Sequence, residues 1–189
     1  MAMTERFKTL SEAEMTPEQK KLRDAIVAGP RKQMRGGPFQ AFLRSPELGD
    51  IVQQFGAHVR YKSVLPDTLK ELAILCTARH WTAQYEWQAH RRMGVEAGLK
   101  PAIPDAIAEG RRPDGMSADE TMIYEFATEL LRTAEVSDKT YDAVLKRFGE
   151  RGVVELVLTL GYYSTVSMIL NVHRHPIAPD AKPLPPLRK

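Results

Sequence analysis

Between Leu69 and Leu99 the chain reads LKELAILCTARHWTAQYEWQAHRRMGVEAGL, and the first half of that stretch admits few folds. Wound as a helix, Leu72, Ala73, Ile74, Leu75, Cys76 and Ala78 leave only Lys70 and Thr77 as a polar strip. A helix that is apolar nearly all round belongs at the centre of a core, wrapped by other elements. Glu71 breaks the pattern. At about 100° per residue it falls beside Leu75 and Ala78, away from the strip.

The second half repeats the anomaly. A helix from Ala83 to Ala97 puts Gln84, Gln88, Arg91 and Arg92 on one side and Ala83, Trp87, Met93, Gly94 and Ala97 on the other. Glu86 and His90 stand in the middle of the apolar side. A buried ionisable group is costly unless it is paired, and these two lie one helical turn apart, close enough to pair. On one unbroken helix, Glu71 and His90 would be roughly 28 Å apart at ~1.5 Å rise per residue. A reversal near Trp81 and Thr82, with Thr82 as the N-cap of a second helix, lays the two halves antiparallel and brings Glu71 beside the pair. No Gly or Pro marks that break.

The rest of the chain carries helix signals and no strand candidate. Thr16-Pro17-Glu18-Gln19 combines an N-cap, a Pro at the first helical position and a Gln at N3, and Gly29-Pro30 stops the helix. A basic loop over 31–37 precedes a short helix from Pro38 to Arg44. Ser45-Pro46-Glu47 opens another helix to about Arg60, and Pro66 marks the start of the central one. A short helix runs from Pro104 to Glu109. Ser117-Ala118-Asp119-Glu120 is a capping box for a helix bearing Ile123, Phe126 and Leu130. Ser137 caps the next helix, which Gly149 closes, and Gly152 to His173 forms a long apolar helix with an expected break at Gly161. The reading is an all-α fold of seven to nine helices. It has an arm and helix over 1–36, a helical domain over 37–176 and a proline-rich tail over 177–189. Five prolines in the fourteen residues from Pro176 keep the tail out of the core and predict an extended path, over a neighbouring subunit. Glu155 and His173, 18 residues apart against 19 for Glu71 and His90, hint at an internal duplication.

Composition narrows the function classes. A net charge of +3 with scattered basic residues argues against a nucleic-acid partner, and a single cysteine excludes an intrachain disulfide framework. With no apolar run of membrane-spanning length, the expectation is a cytoplasmic protein without a membrane partner. His173-Arg174-His175 is set aside as a metal site, because residues two apart diverge on a helix.

A Glu, then about a dozen residues, then a short motif ending in His on two adjacent helices resembles the carboxymuconolactone decarboxylase family, which includes alkylhydroperoxidase D. The residues that carry the likeness are Glu71-Leu72-Ala73-Ile74-Leu75, Tyr85-Glu86-Trp87 with His90, and Ala97-Gly98-Leu99. In the peroxidase branch two cysteines precede the His by seven and four residues; here those positions hold Ala83 and Glu86. Thiol redox chemistry needs an attacking and a resolving sulfur, which Cys76 alone does not supply. The resemblance therefore implies the branch lacking CxxC. It also implies a homo-oligomer, trimeric or hexameric, with its site between subunits. The expected activity is a cofactor-independent lyase on a small carboxylated, lactone-type substrate, with Glu71, Glu86 and His90 catalytic and no metal. Tyr85, Arg79, Trp87 and Asn171 are its candidate substrate contacts. A peroxidase-type antioxidant and a non-catalytic ligand-binding oligomer are the alternatives.

Overall fold

The computed structural model describes residues 5–34, 36–179 and 181–186, and among them every regular element is helical. A 3-10 turn (Glu12–Glu14) precedes α1 (Pro17–Ala28), α2 (Phe39–Phe42), α3 (Pro46–Lys62), α4 (Asp67–His80) and α5 (Gln84–Glu96). The chain continues through α6 (Ala102–Ala108), α7 (Ala118–Thr133) and α8 (Asp138–His173). The capping boxes at Thr16 and Ser117 form as read, each side chain accepting from the backbone N–H three residues on.

α4 is the axis of the molecule. Every residue from Leu69 to Arg79 is buried, and α5, α6, α7 and α8 all pack against it. Its leucines lock into one cluster with Trp87, Leu99, Ile103, Phe126, Leu156 and Leu160. Each leucine taken fully out of water contributes about 2 kcal/mol, which is why this helix dictates where the others lie. Lys70 is buried as well, its ammonium held by Asp67 at 2.7 Å and by the Arg60 carbonyl at 2.6 Å.

Three expectations change. The break in α8 falls at Gly149 alone (φ 67°, ψ 178°), a conformation reserved for glycine, and the helix runs on through Gly161. Gly161 faces open space, so its missing side chain demands no bend there. The described part of the tail packs on its own chain and reaches the core. The Gln84 side-chain amide donates to the Leu184 carbonyl at 3.2 Å and accepts its N–H at 2.7 Å, and Leu184 is buried in the main core cluster. By length and composition α8 is apolar enough to cross a membrane, which a run-by-run reading passes over. Half of its apolar window is buried inside the molecule, as in a core helix.

Candidate active site

The reversal after α4 is a Schellman motif. Thr82 takes the left-handed conformation (φ 48°), its N–H bonds the Arg79 carbonyl at 3.0 Å, and the Ala83 N–H bonds that of Ala78 at 2.8 Å. Thr82 is thus spent on the turn and does not cap α5; Ala83 takes the N-cap position without a side-chain bond. Farther along, a Cβ on Gly94 would lie 2.9 Å from Leu99 Cδ1 and 3.4 Å from Glu71 Cβ. Its absence lets α5 close on α4 at the level of Glu71.

At that level His90 stands between two carboxylates. Its Nδ1 is 2.6 Å from Glu71 Oε2 and its Nε2 is 2.9 Å from Glu86 Oε1. All three groups are 4–6% exposed, so water does not satisfy them. Only the doubly protonated imidazolium can donate to both neighbours at once. Burial pulls the His90 pKa down, but Glu86 and Glu71 together outweigh it and raise the pKa to about 8. The Arg60 guanidinium closes the cluster, 3.4 Å from Glu71 Oε1 and 3.4 Å from the Tyr163 hydroxyl. Two positive and two negative charges then balance in a largely buried cluster. The Tyr163 ring meets the imidazole edge-on at 4.9 Å, and burial holds its phenol protonated well above neutral pH.

The cluster opens on two hollows. A cavity of about 230 Å³ is lined by Arg31, Arg60, Tyr85, Glu86, His90 and Tyr162. On the far side, a hollow of about 430 Å³ is bounded by Lys70, Glu71, Asp67 and Thr159, with Arg60, Met93 and Tyr163 forming the wall between the two. Glu86 therefore faces one opening and Glu71 the other. The loop before α2 forms the rim of the first, and Gly36 (φ 63°) is so close to the Tyr85 hydroxyl that a Cβ there would overlap it at 2.0 Å. Arg31 lies over the Phe39 ring at 5.2 Å, with its buried Nε lacking any partner among the described residues.

The chain thus brings together Glu71, Glu86 and His90, with Tyr85 on the cavity wall. Three other candidates lie elsewhere. Arg79 reaches the tail, donating from Nη2 to the Pro185 carbonyl at 2.8 Å. Trp87 is packed into the main core, and Asn171 donates to the Trp81 carbonyl at 2.8 Å from an exposed position. Residue-by-residue reading missed Arg31, Arg60, Tyr162 and Tyr163. The sequence marks none of them: Gly56 stands one turn before Arg60, but only the fold shows that a side chain there would strike the Tyr162 hydroxyl. The duplication is not realised, since Glu155 pairs with Arg151 at 2.7 Å and accepts the Val64 N–H at 2.7 Å.

His173 and His175 do meet, against the expectation from helical spacing. Arg174 ends α8 in the left-handed conformation (φ 59°) and folds His175 back over His173, ring centroids 5.3 Å apart and interplanar angle 27°. Glu5 joins them, its Oε1 2.8 Å from His173 Nε2 and 3.2 Å from His175 Nδ1, which gives three donors of metal-binding type. The protonation pattern opposes that use. His173 Nδ1 accepts the Phe7 N–H at 3.1 Å, so in the neutral ring Nε2 carries the proton and offers no lone pair. The Nε2 contact with Glu5, though short, is out of line for a hydrogen bond.

No protein-family model and no curated protein matches the chain. Solved structures do share the fold. A protein of unknown function from Agrobacterium tumefaciens, described as a candidate antioxidant defence protein AhpD, superposes with a TM-score of 0.64 at 16% identity, covering 76% of this chain and 100% of that one. A cysteine-to-alanine variant of the debrominase Bmp8, in complex with 2,3,4-tribromopyrrole, superposes with a TM-score of 0.71 at 12% identity over 95% of both chains. The fold is that of alkylhydroperoxidase D.

Proposed function

We propose that the protein is a cofactor-independent acid–base enzyme, a carboxy-lyase acting on a small carboxylated, lactone-type substrate in the cavity beside Glu86. The observation that carries this reading is His90 bracketed at 2.6 and 2.9 Å by two buried carboxylates at a cavity wall. Loss of CO₂ leaves the electron pair of the broken C–C bond on carbon, where a neighbouring carbonyl delocalises it. The enzyme then has to supply one proton. With both imidazole nitrogens engaged, the proton leaves His90 Nε2 through Glu86 to the substrate carbon, and His90 recovers it from solvent. Glu71 and Arg60 hold the imidazole in place. Arg31, with an Nε unpartnered among the described residues, holds the substrate carboxylate. Tyr85 and Tyr162 offer hydroxyls to the developing enolate; burial pushes the Tyr162 phenol up to about 12, so it stays a donor.

The assay is turnover of γ-carboxymuconolactone by the purified protein. His90→Ala is expected to lower the rate about 10²- to 10⁴-fold, in the range of a lost general acid. Equal rates would remove His90 from the mechanism.

A second reading, thiol-dependent hydroperoxide reduction, draws on the description of the Agrobacterium neighbour. The one cysteine, Cys76, is buried, and that burial pushes its pKa up to about 12. Hydroperoxide reduction that disappears in Cys76→Ser would establish this reading over the first.

The proposal includes a homo-oligomer. Val154, Leu158, Gly161, Thr165, Met168 and Val172 are exposed along α8 at alternating steps of four and three residues, the spacing of a helix–helix seam for a second copy. Light scattering that finds a monomer at all concentrations would refute it.

A further inference from the structure

We propose that the cleft between α4 and α7, on a different face of α4 from Glu71, is a second binding site, for a small aromatic or apolar molecule bearing a phosphate or carboxylate. The cleft encloses about 590 Å³, room for a ligand larger than a bare inorganic ion. Four guanidinium groups line it, from Arg79, Arg111, Arg112 and Arg132, against two carboxylates, Glu125 and Glu129. Two of the four guanidiniums are already paired, Arg111 with Glu109 at 2.6 Å and Arg112 with a lining carboxylate, which leaves Arg79 and Arg132 without an ion pair among the described residues. Glu125 takes Arg112 at 2.8 Å, and Glu129 accepts the Ser137 N–H at 3.0 Å ahead of α8.

Arg79 is the residue that singles this cleft out. It is 5% exposed, and its Nε and Nη1 have no hydrogen-bond partner among the described residues. Its one bond, from Nη2 to the Pro185 carbonyl, satisfies a single donor of five. A buried guanidinium with no counter-charge among the described residues is costly, and an oxyanion brought into the cleft would relieve it with bidentate geometry. Arg132, exposed at the mouth and with no ion pair among the described residues, draws an anion in. His80, neutral near pH 7 because burial lowers its pKa, adds a ring N–H without adding charge. Between these polar groups, Ile107, Tyr124 and Leu131 form an apolar wall suited to the body of the ligand.

The test is calorimetric titration of the full chain with three probes of similar body: phenyl phosphate, benzoate and neutral benzyl alcohol. At least one anion is expected to bind ten times or more tightly than the alcohol, and the tighter of the two identifies the oxyanion. Arg79→Met should weaken that binding tenfold or more. Arg132→Ser, on an exposed rim position, should weaken it about threefold and keep the fold intact should the first variant fail to express. Anions that bind no better than the alcohol overturn the proposal. So does an affinity unchanged in Arg132→Ser, or one that survives both substitutions and falls in Arg31→Ser, which would put the anion in the cavity beside His90.

Discussion

His90 and His175 both lie against glutamate, yet their pKa values move in opposite directions. His90 has a carboxylate on each ring nitrogen, both supplied by helices that form the core, and its pKa rises to about 8. His175 has one, Glu5, from the N-terminal arm. Burial outweighs that single carboxylate, the charge of the neighbouring His173 adds to the effect, and the pKa falls below its ordinary value. A carboxylate at hydrogen-bond distance does not by itself make an imidazole basic. The outcome depends on how many counter-charges accompany it out of water, and on whether rigid elements hold them there.

The comparison can be tested most severely by removing one acid from each site. Glu71→Ala leaves Arg60⁺ without its carboxylate and His90⁺ with Glu86 alone, and urea denaturation should show a loss of about 3–5 kcal/mol. A loss no larger than that from Glu5→Ala would mean the two sites are equivalent. The pH dependence comes next. His90 titrates in the fold near 8 against an ordinary 6.5, so its contribution is complete below about pH 6.5 and disappears as the pH rises through 8, a change of about 2 kcal/mol. The sign for His175 is reversed: its contribution is present above its ordinary pKa and is lost as the pH falls through the lowered one. Imidazole resonances followed by NMR should show the two midpoints on opposite sides of 6.5; a shared midpoint would erase the contrast. The smallest effect belongs to Glu5→Ala. With a third of its side chain in solvent, the pairing is worth under about 1 kcal/mol, and its loss should show mainly as faster proteolysis of the arm.

Much of the site could be read from the chain because it violates a period. Glu71, Glu86 and His90 stand out only against the apolar faces that surround them, and the reversal between α4 and α5 followed from asking how Glu71 could reach His90. Long-range partners leave no such mark. Arg60 ends α3 looking like a solvated helix terminus, and its meeting with Glu71 depends on how α3 crosses α4, a tertiary fact. Left-handed residues hide equally well. Thr82 and Arg174 both take positive φ without being glycine or asparagine, and each redirects the chain at a place that decides the neighbourhood of a histidine. The docking of the tail on α5 was hidden for a related reason. Proline content describes how a segment travels, while Gln84 and the leucine at 184 decide where it stops.

The left-handed glycine within α8 has a kinetic consequence. One peptide unit uncouples the helical hydrogen-bond ladder into two lengths. The first holds a single buried residue, Val144, whereas eleven lie beyond Gly149. Amide hydrogen exchange should therefore divide at residue 149, with the leading turns opening by local fraying and the trailing turns exchanging only when the whole molecule unfolds.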